Sequence, residues 1–200
     1  MKKIKYNNSK KITNELNVMR QAVEEEYEIN LPKEQKIEKL LRKEIAKHPD
    51  KKKALLYIEI DNFDSIKHVK GYNFAGKLME KIIQRIKGQI SPNHKLYINS
   101  GESFSLFIDN YHDTYEVIEL GILISQSFSQ AFMVDGSRIN LSIKIGLVLY
   151  PKYKGNSGEL ISHAKLAIYR GKQIGRHRIW LCDCEKNYQY INDFIITQDL

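Results

Sequence analysis

Apolar residues recur at two different periods along the chain, and the changes of period divide it into elements. Ile12, Leu16, Met19, Val23 and Tyr27 stand three and four apart, which predicts a helix up to Asn30 with Glu24-Glu25-Glu26 beside its apolar stripe. Ile37, Leu40, Leu41 and Ile45 repeat the pattern in a second helix ending near His48-Pro49. Ala54–Ile60 is instead a near-continuous apolar run, as in a strand covered on both faces. A helical stretch with Phe63 and Ile66 inward breaks at Gly71, and a longer helix continues through Leu78, Ile82, Ile83 and Ile86 to Gly88. Leu96-Tyr97-Ile98 and Phe104–Phe107 flank Asn99-Ser100-Gly101, a β-hairpin pattern in which Gly, and if needed Asn, takes φ > 0. Ser103 and Ser105 alternate with Phe104 and Leu106, so the returning strand is expected to bury one face.

Tyr115, Val117, Ile118, Leu120, Ile122 and Leu123 mark another helix running to Ser129. Phe132–Val134 and Ile139–Leu141 flank Asp135-Gly136, a type I′ turn signal. The second of these strands is expected to run on through Ile143, Ile145, Leu147 and Leu149 and to stop at Pro151. Asn156-Ser157 supplies a cap for the last helix, which buries Leu160, Ile161, Ala164, Ala167 and Ile168. Ile179-Trp180-Leu181 is then expected to close the sheet. The order strand–helix–helix–strand–strand–helix–strand implies an α/β (α+β) sandwich around a mostly antiparallel sheet.

The 200 residues suit one domain with extensions and a core that needs no disulfides. The two cysteines, Cys182 and Cys184, point the same way if strand-borne, but no other Cys or tight His cluster completes a zinc site. They read as reduced thiols of a cytoplasmic protein. No apolar run approaches ~18 residues and the start lacks the apolar stretch of a signal peptide. The formal charge of +8 would suit nucleic acid. Its lysines, however, gather in Met1–Lys11 and Lys51-Lys52-Lys53 without interleaved aromatics, which argues for a solvated surface instead.

Candidate chemistry sits at strand ends. Glu59 and Asp61 close the buried run two residues apart, so on a strand both leave the same face. Glu102 stands at or just past the hairpin tip. On its own this is a surface hairpin with polar residues at its turn. Together with the paired acids it is how palm-type enzymes hold Mg²⁺ for nucleotide chemistry.

Three segments then coincide in order and spacing with one family. Ile58-Glu59-Ile60-Asp61-Asn62-Phe63 resembles a D-x-D-x-F motif. Ser100-Gly101-Glu102-Ser103-Phe104 stands where G-G-D/E-E-F belongs. Ala164–Arg178 resembles A-D-x-A-L-Y-x-A-K-x-x-G-R-N-R. The chain resembles a GGDEF domain of the diguanylate cyclase family across Leu31 to Asp183, with Leu31-Pro32 resembling part of the entry motif and Lys33 and Glu34 replacing the Asn and Arg after it. The resemblance implies a ferredoxin-like palm with helices on both faces of the sheet, preceded by a helical linker over 1–30 and followed by a connector over 184–200. Such a linker joins a sensor or pairs two chains into a homodimer; a helix folded back on its own domain is the alternative. Asn192–Leu200 resembles the lead into an EAL phosphodiesterase domain, as in a fragment of a longer GGDEF–EAL signalling protein; a short C-terminal helix is the alternative.

The resemblance also assigns residues. GTP would lie over the hairpin, with Mg²⁺ held by Glu59, the Ile60 carbonyl and Glu102, in a site weakened by the extra methylene of Glu59. Lys172 and Arg176 match the family's phosphate-binding pair; ordinary surface charges at a helix end are the alternative. Ser103 replaces the signature acid and neither bears charge nor takes a proton near neutral pH. Ser100 adds a side chain where the backbone approaches nucleotide. Lys67 and Gly76 occupy the guanine-reading positions, and Ser91 and His94 those of the R-x-x-D inhibitory product site. The implied function is a catalytically inactive regulatory domain of cyclic di-GMP signalling that binds nucleotide weakly and acts on an attached EAL partner. A residual cyclase and a purely structural dimerisation module are the alternatives.

Overall fold

A computed structural model describes residues 31–99, 102–174, 178–182 and 188–191. The expected helix over 1–30, Ser100, Gly101, Arg176, Cys184 and the segment 192–200 lie outside the described residues. The elements in chain order are α1 (Glu34–Lys47), β1 (Lys53–Ile60), α2 (Phe63–Lys70), α3 (Tyr72–Lys87), β2 (Lys95–Ile98), β3 (Ser103–Asp109), α4 (Thr114–Ser127), β4 (Phe132–Val134), β5 (Ser137–Ile139), β6 (Ile143–Tyr150), α5 (Ser157–Ile174), β7 (Ile179–Cys182) and β8 (Tyr188–Ile191).

Six strands form one sheet in the order β2-β3-β1-β6-β7-β8, and β4 and β5 form a separate pair. All neighbours in the large sheet are antiparallel except β6 and β7. This is the expected palm: a mostly antiparallel sheet between two helical layers. The Leu56 and Ile58 side of β1 packs on α3 and α4 through Leu78, Ile82, Ile86, Val117 and Ile124. Its Leu55 and Tyr57 side packs on Ile37 and Leu41 of α1 and on Leu160, Ala164 and Ile168 of α5. With a strand on each edge and a helix layer on each face, β1 has no solvent side, and its sequence is accordingly apolar at successive positions.

Local chemistry explains several boundaries. Asp113 Oδ1 accepts from the Glu116 amide at 2.9 Å while Glu116 reaches back to the His112 amide at 2.7 Å, fixing the start of α4. Asn156 and Glu159 make the same reciprocal pair at α5, at 3.0 and 2.8 Å, as the expected cap requires. Asp135 (φ 45°) and Gly136 (φ 76°) are both left-handed, which is the type I′ geometry.

Three expectations change. The strand after that turn does not run on: β5 ends at Ile139 and pairs only with β4, and β6 begins anew at Ile143 in the large sheet. Ser103 and Ser105 do not mark a solvent face, because β3 lies between β2 and β1 under α1 and both serines are buried. Ile179–Leu181 does not close the sheet, since β8 pairs along the outer edge of β7. At the other edge, the Ile98 amide donates to Pro32 O at 3.0 Å and Lys33 bridges Ile98, so the segment before α1 covers the end of β2.

α5 crosses the sheet at close range. A Cβ on Gly146 of β6 would lie 1.9 Å from the Ala164 carbonyl oxygen, and one on Gly171 would lie 2.1 Å from Trp180 Nε1. Only hydrogen at these two positions lets backbone and indole approach, and that approach sets the height of α5 above the strand ends.

Candidate functional site

Register brings the site together. Ser103 of β3, Glu59 of β1 and Lys144 of β6 lie directly across from one another on three adjacent strands, so their side chains share the face covered by α5. Asp61, just past the end of β1, returns to this face. Its Oδ1 meets Lys144 Nζ at 2.5 Å, its Oδ2 accepts from Ser142 Oγ at 2.8 Å, and its amide donates to Ser142 O at 2.9 Å. The Glu59 carboxylate is bonded to Lys172, which descends from the last turn of α5.

Glu102 belongs to the same sheet end but meets a different helix. Its carbonyl accepts from the Ile60 amide at 3.0 Å, and its carboxylate is bonded to Lys67 of α2. Lys67 Nζ also contacts Asp64 Oδ1 at 2.6 Å and lies 5.9 Å from the Phe63 ring centroid. The Lys67 and Glu102 side chains are 17% and 15% exposed, against 41% and 35% for Lys172 and Glu59. Burial pulls the Lys67 ammonium's pKa down, but the hydrogen bonds to Asp64 and Glu102 outweigh it and leave the pKa raised. Lys67 therefore stays charged throughout the physiological range.

Ser103 is 4% exposed and turned into the sheet–helix layer. It shares a 2.7 Å hydrogen bond with the Tyr57 hydroxyl and accepts from Asn99 Nδ2 at 3.4 Å, while Ser105 Oγ donates to Asn99 Oδ1 at 3.0 Å. The Lys165 ammonium sits 5.1 Å from the Tyr57 ring centroid and pairs with Glu34 at 2.5 Å. Ser103, Tyr57, Asn99 and Ser105 thus form a hydrogen-bonded cluster of uncharged side chains, flanked by the Lys165–Glu34 ion pair. Phe104, the next signature position, is fully buried on the opposite face against α3 and α4.

The other sequence-assigned positions fall as follows. Gly76 is buried within α3 and presents no side chain. Ser91 and His94 lie in the loop before β2, where the His94 amide bonds Ser91 O at 2.9 Å. His94 Nδ1 is buried without a hydrogen-bond partner, and desolvation lowers the ring's pKa against the opposing influence of Glu116. Cys182 is buried and lies 3.7 Å from His163 Nδ1.

Mg²⁺ asks for near-octahedral oxygen ligands at about 2.0–2.1 Å. The residues present do not fit that demand. Both carboxylates assigned to the ion hold lysine ammonium groups, and among the described residues no group of three or more His, Cys, Asp or Glu side chains is arranged to hold a metal. Tyr57, Asn99, Lys144 and the pairing role of Lys67 were not foreseen from the sequence. The one available signal was a tyrosine within the otherwise apolar β1 run, two residues before Glu59.

Comparisons with known proteins converge on this architecture. The family model described as diguanylate cyclase, GGDEF domain, matches residues 30–178. The bifunctional diguanylate cyclase/cyclic di-GMP phosphodiesterase MucR of Pseudomonas aeruginosa is 22% identical over 76% of this chain and 22% of its own length. Protein YhcK of Bacillus subtilis is 26% identical over 74% of this chain and 41% of its own length. The chain spans between 16% and 41% of the length of the curated relatives it matches. Among solved structures, the GGDEF domain of TpbB from P. aeruginosa superimposes with a TM-score of 0.71 at 23% identity, covering 78% of this chain and 92% of that one. The coiled coil and GGDEF domain of DgcB from Caulobacter crescentus, solved with cyclic di-GMP, gives 0.67 at 14% identity over 87% and 97%. At these identities the structural likeness carries the fold.

Proposed function

Because the chain belongs to the diguanylate cyclase GGDEF domain family, we propose that it is a non-catalytic member acting as a cytoplasmic regulatory domain in cyclic di-GMP signalling. The observation that carries this reading is Ser103. At the position of the signature acid it is buried, uncharged and hydrogen-bonded to Tyr57 and Asn99, so nothing there activates an attacking hydroxyl. Ser100 at the first signature position works in the same direction.

The proposed output is control of an attached phosphodiesterase of the EAL type, following the connector-like segment 184–200. MucR, whose name joins cyclase and phosphodiesterase activities, supports such a pairing, as does the small share of its relatives that the chain spans. The helical linker over 1–30 would carry the input or pair two copies. Nucleotide binding is proposed to be weak and tolerant of the base. Lys172 and Arg176 offer charge-assisted contacts to phosphate, whereas Lys67 and Gly76 offer no guanine edge partner.

The test is a long incubation of the purified protein with GTP and Mg²⁺ or Mn²⁺, followed by chromatography. No cyclic di-GMP is expected above the no-protein control. Product that disappears in Glu102→Ala would overturn the reading.

A further inference from the structure

Among the described residues, four carboxylates and three ammonium groups meet at this end of the sheet: Glu59, Asp61, Asp64 and Glu102 against Lys67, Lys144 and Lys172. They are not interchangeable surface pairs. Lys67 stands between two acids, Glu102 and Asp64, as a bridging cation does, and it and Glu102 are each less than a fifth exposed. Lys144 serves Asp61, with both side chains about a fifth exposed. Lys172 serves Glu59 from the opposite helix layer.

We propose that the divalent cation of this site has been replaced from within the chain. The ammonium groups of Lys67 and Lys172 occupy the carboxylates of Glu102 and Glu59, so the site takes a nucleotide polyphosphate without Mg²⁺ or Mn²⁺. The proposal rests on the non-catalytic reading and extends it to the ligand's form: metal-free rather than metal-chelated nucleotide. A metal ion entering here must expel an ammonium from a carboxylate that is largely withdrawn from water. That leaves Lys67 poorly solvated and with only the exposed Asp64 as partner, a costly exchange. The ion also arrives where the charge of the described groups is already nearly balanced, with one net negative charge in place of four. A phosphate chain faces the opposite situation. Lys172 is the more exposed of the two ammonium groups, and a polyphosphate can take it from Glu59 in an exchange of one anionic partner for another.

Mn²⁺ alone is the probe, followed by its electron paramagnetic resonance signal and by the protein's thermal midpoint. For the wild-type protein the free-ion signal is expected to persist, and the midpoint to move by less than about 1 °C, at roughly 1 mM Mn²⁺. Lys67→Met combined with Lys172→Met is expected to bind Mn²⁺ at least about tenfold more tightly and to gain about 5 °C, both lost when Glu102→Gln is added. Wild-type sequestration of Mn²⁺ with a dissociation constant below roughly 100 μM, abolished by Glu102→Gln, would overturn the proposal without requiring any lysine variant to fold. So would a folded double variant, checked by circular dichroism, that gains no Mn²⁺ affinity. Turnover is not measured in either arm. Mn²⁺ binding by a protein that makes no cyclic di-GMP therefore sinks this inference alone, whereas product formation sinks the non-catalytic reading.

Discussion

Gly146 and Lys144 are two residues apart on β6 and face the same helix, yet they live under different rules. At Gly146 the clearance to the Ala164 carbonyl oxygen would be 1.9 Å for a single added carbon. At Lys144 a long side chain, 21% exposed, spans to Asp61 with solvent beside it. The first contact is backbone against backbone, so neither partner can rotate away. The second joins two flexible chains that re-form their bond after small displacements. The middle of the sheet therefore fixes where the strand ends lie, and the strand ends are free to change their chemistry without changing the fold. Such a division lets a GGDEF-type palm keep its shape while its signature residues diverge.

Substitutions at graded distances from the centre break or sharpen this contrast. Gly146→Ala is expected to give the largest loss, about 3 kcal/mol in urea denaturation, because α5 must lift off β6 to admit the methyl group. A loss as small as a surface substitution would show that α5 is not pinned there. Ser103→Ala, at the boundary, is expected to cost about 1.5 kcal/mol by removing the partner of the buried Tyr57 hydroxyl and of Asn99. Equal stability of the variant would mean the network is wet and that Ser103 is not part of the packed interior. Lys172→Met, at the outer end, is expected to change stability by less than about 0.5 kcal/mol, since both side chains of its ion pair are more than a third exposed. A loss comparable to that of Ser103→Ala would move this end of the sheet into the same regime as its centre.

The elements were largely legible because their periods are strong. β1 and the faces of α3 and α5 need no more than the spacing of Leu, Ile and Ala, and Asp135-Gly136 demands its turn through backbone sterics alone. The misreadings share one cause. Ile139 and Ile143 are both apolar at strand spacing, and no local signal says that the chain changes sheets between them. Ser103 and Ser105 look like a wet face by composition, yet β2, β1 and α1 surround them.

The sequence by itself determined the palm, its family and the uncharged serine at position 103, because these depend on residue identity and local period. It also determined that Glu59, Asp61 and Glu102 would gather at one sheet end, through strand length and hairpin position. Which charges those acids would meet was decided only by the tertiary structure. Lys67, Lys144 and Lys172 lie between 35 and 113 residues along the chain from Glu102, Asp61 and Glu59, respectively. Electrostatic pairing at that separation has no period and no local propensity. It exists only once strand register and the seating of α2 and α5 have brought the charges within reach.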